Sequence, residues 1–397
     1  MVQRIKRHVI HIATILLLLG SIGGLLALPT ASQAPLYTPQ ERFGIGFVSR
    51  VPVPGGTTPQ SIGEYRLAPL KVGWYSDWAF SAAPAMPADG LLEYVQLLEV
   101  AGTPPDWSAV RHAAQQRPGS LWIIGNEPEC PNQGDLMPQA YAQRYQEAYQ
   151  QIKSWDATAH IAFGGVVEPT PLRKLWIERV LEAYRNNNGG KAMPVDVWTI
   201  HIQILREGSV NAAGSAFEDR NAGAGIPTGI DDQTALALRR DYDWADNANP
   251  GILQTMVSEF RQWMKEWGYQ DRELIISEMG VLYPSTILAM DRPGSEAEQQ
   301  LWGDLMVERF MIDSFEWLLA AADPQTGHPE DGYRLVQRWL WYSLNDHFFW
   351  EGLWARGYNG SLYDYQTKQP TRFGQRFIAY RNREARTERL FLPWVSR

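Results

Sequence analysis

The sequence predicts an α/β fold, a (β/α)8 TIM barrel, on three observations. Beyond residue 40, short apolar runs alternate with longer amphipathic stretches of helical spacing. The runs are continuously apolar, which is typical of parallel strands covered on both faces. Eight runs fill about 340 residues, and no Gly-rich dinucleotide or phosphate-loop motif follows the first, so a barrel is favoured over an open doubly wound sheet.

The predicted strands share a run of aliphatic or aromatic residues. In chain order they are Phe43–Ser49, Leu70–Tyr75, Tyr94–Val100, Leu121–Gly125, His160–Val167, Val195–Ile202, Leu274–Ser277 and Trp339–Leu344. The predicted helices have apolar residues at helical spacing. They are Asp106–Gln116, Pro138–Trp155, Pro171–Arg185, Ile252–Trp267 and Glu296–Ala322. A Gly-rich stretch from Leu205 to about Asp232 follows strand six, and we expect it to lie over the barrel mouth.

The N-terminus predicts export. Basic residues precede an apolar stretch from Val9 to Leu28, and small residues follow it, as in a signal peptide. The stretch is nearly long enough to span a bilayer, so an uncleaved anchor is an alternative. Either would leave the protein outside the cytoplasm, extracellular or on the cell surface. We therefore expect a leader or anchor at 1–34, a barrel at 40–382 and a tail at 383–397.

Composition and net charge limit the classes of molecule that the protein is expected to bind. The net charge is −8 and the pI about 5.5, which argues against nucleic acid. The 17 Trp and 17 Tyr residues supply rings for the core and for stacking on sugar faces. A single cysteine, Cys130, allows no internal disulfide. We expect a monomer without metal or cofactor, with membrane contact only through the N-terminal segment.

Ionisable residues stand at the ends of several predicted strands. Glu127, Glu168, His201, Glu278 and Asp346 end strands four to eight in that order. In such barrels the chemistry occurs at these ends. Two facing carboxyls suit glycoside hydrolysis, since one donates a proton and the other attacks the anomeric carbon or activates water. A metal site built from the histidine and the acids is an alternative.

The motifs GNEP and ISEMG resemble those of clan A, the retaining glycoside hydrolases built on (β/α)8 barrels. The resemblance implies that Glu127 is the general acid/base and that Asn126 binds the sugar 2-hydroxyl. It implies that Glu278, 151 residues later, is the nucleophile. It also matches His201 to a strand-six histidine, and Trp341 to the tryptophan that floors the sugar subsite.

One position departs from the clan pattern. Several families carry a tyrosine two residues after the strand-six histidine, where it holds the nucleophile, but here Gln203 stands there. Tyr283 is a candidate for the same task, and we expect both residues to bind substrate. The predicted function is an exported retaining glycoside hydrolase acting on poly- or oligosaccharides. A non-catalytic carbohydrate-binding barrel on the cell surface is the alternative, which the departure at Gln203 would suit.

Overall fold

The structure is a computed structural model that describes residues 35–53, 55–210, 216–217, 223–347 and 358–382. The predicted leader at 1–34 and tail at 383–397 lie outside these residues, so both stay predictions. Within the described part, none of the helices combines the length and apolarity that crossing a bilayer requires.

The predicted barrel is confirmed. Its strands are β1 Phe43–Gly46, β2 Trp74–Ser76, β3 in two segments (Glu93–Tyr94 and Gln96–Leu98), β4 Leu121–Ile124, β5 His160–Phe163, β6 Val197–Ile202, β7 Glu273–Met279 and β8 Arg338–Trp341. Every pair of neighbours is parallel, and β1 pairs with both β2 and β8. The first segment of β3 pairs with β2 and the second with β4. Because only Val95 separates the segments, the pairings run around the barrel.

The α-helices of the described chain follow the strands from β3 onward. They are α1 Trp107–Gln116, α2 Pro138–Trp155, α3 Pro171–Asn187, α4 Asp232–Leu238, α5 Pro250–Glu266, α6 Ser285–Leu288, α7 Glu296–Ala320 and α8 Arg372–Arg381. Local signals set where they begin. Asp106 caps α1 through two backbone amides, Thr170 caps α3 directly before its proline, and Ser295 forms a capping box with Glu298 on α7.

The first two crossovers, from β1 to β2 and from β2 to β3, contain no α-helix among their described residues. Between β1 and β2 the chain forms a hairpin of Arg50–Val53 and Gly56–Pro59, then short 3-10 turns. The predicted second strand was wrong at its start, because Ala68–Leu70 is one of those turns. Lys71 after it is left-handed, with φ +50°, and the strand begins only at Trp74. The sheet therefore starts later there than its apolar run suggests.

Two hydrophobic layers enclose the strands. Alternate residues face the barrel interior, as Leu121 and Ile123 of β4 do. The residues between them, such as Trp122 and Ile124, pack in the cluster shared with the helices. Both faces of each strand are therefore covered, which explains why the sequence runs are continuously apolar.

Candidate active site

The end of β4 turns sharply at the barrel mouth. Gly125 has φ +84° and Glu127 has φ +41°, both in the left-handed region. The Glu127 amide then donates to the carbonyl of Gly165, at 3.0 Å, beyond the end of β5. A Cβ at Gly165 would lie 2.6 Å from the ring of His201, so only glycine lets this turn pack against the histidine. The turn thus directs the Glu127 side chain towards His201.

Three sequence-predicted residues meet at the centre of the mouth. Nδ1 of His201 lies 2.9 Å from Oε1 of Glu127, and its Nε2 lies 3.7 Å from Oε1 of Glu278. The ligand atoms of the three side chains lie within 4.8 Å of one another. All three residues are buried, with exposures of 2 to 8 %. β4, β6 and β7 therefore bring two carboxylates and one imidazole together in a site shielded from bulk water.

Two N–H donors hold the Glu278 carboxylate, one on each oxygen. Nε1 of Trp78, from the loop after β2, donates to Oε1. Nε2 of Gln203 donates to Oε2 at 3.0 Å. Gln203 thus contacts Glu278 from the position where the clan resemblance expects a tyrosine. Tyr283, the other candidate for that task, lies in the cleft wall with its ring 5.0 Å from that of Trp244.

The environment shifts two of the central pKa values. Burial raises the pKa of Glu278 to about 7, and the charge of Glu127 adds to the rise. His201 and the hydrogen bonds from Trp78 and Gln203 oppose it. Burial alone would lower the pKa of His201, but the neighbouring carboxylates of Glu278 and Glu127 outweigh it and raise that pKa. The site therefore favours the protonated forms of Glu278 and of His201 more than water does.

A buried asparagine that no sequence motif indicates holds the backbone behind this arrangement. Asn247 is fully buried in a 3-10 helix before α5. Its Nδ2 donates to the carbonyl of Gln203, and its Oδ1 accepts from the amides of Leu282 and Tyr283 at 2.9 and 3.1 Å. The end of β6 is thereby tied to the segment after β7 that follows Glu278.

The central residues open into a cleft of about 660 Å³. Aromatic rings and amides line much of it. They are Trp78, Tyr283, Tyr342, Tyr358, Asn126, Asn132, Gln133 and Gln203. Described parts of the long Gly-rich stretch, at Leu205, Gly223 and Ala224, also reach the cleft, as predicted. The volume and the mixed lining are typical of a small-molecule or oligosaccharide site.

Two amide oxygens in this lining have no hydrogen-bond partner within the described chain. They are Oδ1 of Asn126 and Oε1 of Gln203. Leaving a buried acceptor unpaired costs about 1–3 kcal/mol, so such atoms mark where a ligand donor is expected. The Oδ1 of Asn126 therefore has room for the predicted contact with substrate, which stays a prediction.

The prediction that Trp341 floors the sugar subsite is wrong. Trp341 is fully buried, and its Nε1 donates to the carbonyl of Gly360 at 2.8 Å. Its ring packs 5.9 Å from that of Phe315 on α7. Side chains alternate along a strand, so the outward direction of Trp341 leaves the next residue, Tyr342, facing the cleft.

Glu168 does not line the cleft either. It is fully buried behind the cleft wall, where its Oε2 accepts from the amide of Leu205 at 2.8 Å. Burial, with the nearby charge of Glu207, raises its pKa well above the usual range. Arg173 of α3 bonds to Glu129 at 3.0 Å and to Glu207, and donates to the carbonyl of Ala224 at 2.7 Å. These groups hold the long loop against the strand ends.

The metal alternative fits the central geometry less well than hydrogen bonding does. Glu127, His201 and Glu278 could each offer one ligand atom. These atoms lie close enough together for an ion, with one imidazole nitrogen among them. The ring, however, turns Nδ1 towards Glu127 and Nε2 towards Glu278, so each nitrogen already faces a carboxylate. A neutral or protonated histidine bridging two carboxyls is the better description.

Residues 55–214 match the sequence model described as the glycosyl hydrolase catalytic core. No curated protein matches the chain. Solved structures with some similarity include a GH128 (subgroup II) endo-beta-1,3-glucanase from Sorangium cellulosum, at 14% identity and TM-score 0.46, covering 85% of this chain and 98% of that one. A Pseudomonas viridiflava enzyme of the same description has 13% identity and TM-score 0.47, with coverages of 81% and 96%.

The matched residues include the turn with Asn126 and Glu127, His201 on β6 and Gln203 directly after it. The matched segment belongs to a barrel whose mouth holds two buried carboxylates, with oxygens within 4.8 Å of one another. Together they define the class, so the chain is a glycoside hydrolase. The predicted resemblance is confirmed to that level, and clan A membership stays a prediction.

Proposed function

We propose that this protein is an exported retaining glycoside hydrolase that cleaves O-glycosidic bonds of poly- or oligosaccharides by double displacement. One observation carries the proposal, the approach of Glu127 and Glu278 to within 4.8 Å between carboxylate oxygens. Retaining enzymes separate their carboxyls by about 5–5.5 Å, whereas inverting enzymes need about 6.5–9.5 Å to admit a water. The short separation favours direct attack by a carboxylate.

Glu278 is the better nucleophile of the two. Its oxygens each accept a hydrogen bond, from Trp78 and from Gln203, and such bonds stabilise the ionised form and fix its direction. It attacks the anomeric carbon and forms a glycosyl-enzyme. Glu127 first protonates the leaving oxygen and then takes a proton from the attacking water. His201, in contact with Glu127, orients that carboxyl through both steps.

The pKa of Glu278 predicts the acid side of the pH profile. With a pKa of about 7, this carboxyl is mostly protonated in acid and cannot attack. Activity of the free enzyme, measured as kcat/KM, should therefore rise as the pH increases through about 7.

Stereochemistry tests the mechanism. Aryl glycosides and neutral polysaccharides, including β-1,3- and β-1,4-glucans, are first screened for release of aglycone or reducing ends. The first-formed anomer is then followed by proton NMR on the best substrate, and retention is expected. Inversion would contradict the role of Glu278 as nucleophile, and binding without turnover would favour a non-catalytic carbohydrate-binding barrel.

Variants test the two carboxyls separately. Glu278→Gly should abolish hydrolysis, and azide should restore turnover as a glycosyl azide of inverted configuration. Glu127→Ala should keep slow turnover of substrates with good leaving groups, and azide should then give the retained product. Glu147→Ala, at an exposed site on α2, is the matched control. Full activity in Glu278→Gly would show that the assignment is wrong.

Export is part of the same proposal and is supported by the sequence at 1–34. Expression of the full chain, followed by fractionation into cytoplasm, membrane and medium, tests it. Recovery only in the cytoplasm would contradict export. N-terminal sequencing of the exported protein would distinguish a cleaved signal from a retained anchor.

A further inference from the structure

Gln203 carries two polar atoms at the reacting centre, and only one has a partner in the described chain. Its Nε2 donates to Glu278, while its Oε1 has none and its side chain lines the cleft. We propose, resting on the function proposed above, that Gln203 holds the nucleophile with Nε2. Its Oε1 accepts a hydrogen bond from a hydroxyl group of the sugar that Glu278 attacks. The site thereby requires a hydroxyl donor on that sugar.

The orientation of the amide follows from its neighbour. An ionised carboxylate only accepts hydrogen bonds, so the NH2 group must face Glu278 and the carbonyl oxygen must turn away from it. Gln203 is 3 % exposed, so bulk water does not satisfy that oxygen. A buried acceptor held in this way is satisfied when a ligand hydroxyl arrives.

The backbone behind Gln203 keeps the amide in place. Asn247 donates to the Gln203 carbonyl and is itself held by the amides of Leu282 and Tyr283. Both amide atoms sit on one planar group, so a hydroxyl at Oε1 lies close to the carboxylate that Nε2 holds. The hydroxyl therefore belongs to the same sugar ring whose anomeric carbon meets Glu278.

The chemistry of the lining indicates the class of sugar. Oδ1 of Asn126 is a second unpaired acceptor in the same cleft. A sugar hydroxyl can donate to either oxygen. The carboxylate of a uronic acid cannot donate when ionised, and would face an acceptor instead. A neutral sugar with free hydroxyls fits this subsite.

A double-mutant cycle between enzyme and substrate tests the acceptor role. The aryl glycoside turned over best in the screen is compared with its monodeoxy analogues, on wild type, Gln203→Met and Gln203→Glu. Gln203→Met removes both polar atoms at similar length, whereas Gln203→Glu keeps an acceptor. For one analogue, the deoxy penalty in kcat/KM should shrink at least tenfold in Gln203→Met and persist in Gln203→Glu, because electronic effects of the deoxy group cancel in the cycle.

The pH profile tests the donor role. Both variants lose the hydrogen bond to Glu278, so the acid limb of kcat/KM should move up by about one pH unit. Gln115→Leu, on the exposed side of α1, should leave the limb and the deoxy penalties unchanged. Near-UV circular dichroism shows whether Gln203→Met is folded, and Gln203→Glu provides a second variant if it is not.

The outcomes separate this inference from the proposed function. One outcome is that wild type hydrolyses the glycoside while each deoxy analogue loses the same factor in kcat/KM on Gln203→Met as on wild type. Gln203 then contacts no sugar hydroxyl, and the acceptor role is overturned. If the acid limb stays in place in both variants, the donor role is overturned. If wild type turns over nothing in the screen, the proposed function fails, and this inference fails with it.

Discussion

Replacing Glu278 with glutamine should stabilise the fold at alkaline pH while abolishing activity. The carboxyl is buried, with 5 % exposure, and burial raises its pKa from 4.5 to about 7. The folded protein therefore holds this proton more tightly than the unfolded chain does. Gln203 can turn its amide to meet the new side chain, because its Oε1 has no partner to lose in the described structure.

The sign and size follow from the two pKa values. Below pH 4.5 both states are protonated, so the wild type loses no stability through this group. As the pH rises from 4.5 to 7, the unfolded chain ionises first and stability falls. Each pKa unit corresponds to about 1.4 kcal/mol, so the full loss above pH 7 is about 3 kcal/mol. Glu278→Gln cannot ionise and lacks this loss.

Urea unfolding, followed by tryptophan fluorescence, measures the effect at pH 4.5, 6 and 8. The difference in free energy of unfolding between Glu278→Gln and wild type should grow by up to about 3 kcal/mol from the lowest pH to the highest. Hydrogen bonds altered by the amide add an offset that does not depend on pH. Glu147→Gln, exposed on α2, should show no such growth. Parallel pH profiles for wild type and Glu278→Gln would refute the reasoning.

Three further substitutions test other parts of the structure. Trp78→Phe keeps a ring but loses the donor to Glu278, so kcat should fall about tenfold and the acid limb rise, and an unchanged pH profile would contradict this. Arg173→Met leaves buried carboxylates without their cation and should lower the free energy of unfolding by about 3–5 kcal/mol, whereas a loss below about 1 would argue against it. Trp341→Phe should lower stability by about 1–3 kcal/mol with KM unchanged, and a raised KM at constant stability would restore its role as a sugar platform.

The barrel and its two carboxyls could be predicted because both depend on hydrophobic runs. β4 and β7 are buried on both faces, and Glu127 and Glu278 come where the runs reach the rim. In a parallel barrel all strand ends meet at one mouth, so strand order alone places the two acids on the same side. Their separation could not be read from the sequence, since it depends on how each side chain leaves its strand.

Side-chain direction at strand ends was the main obstacle. Trp341 and Tyr342 are consecutive, yet one packs against α7 and the other lines the cleft, and one residue of register decides which. Glu168 ends its strand as Glu127 does but turns into the buried cluster around Arg173. Composition cannot separate these cases.

The partners of Glu278 illustrate a second limit. Trp78 lies in an irregular crossover where no periodicity indicates a direction, and its backbone is left-handed, with φ +57°. Asn247 lies in a short 3-10 helix and contacts the site only through backbone groups. Such residues are found from three-dimensional contacts, because their local sequence carries no signal of their task.

The left-handed backbone of Glu127 lowers the stability of the fold, and so does the buried carboxyl of Glu278. A non-glycine residue at φ +41° costs about 1–2 kcal/mol, and Glu278 adds the penalty of a buried charge. A lineage freed from selection for catalysis would gain stability from glycine at 127 or an amide at 278, since each single change relieves one of these terms. Mutation alone would therefore erode both carboxyls in a lineage that no longer needed them.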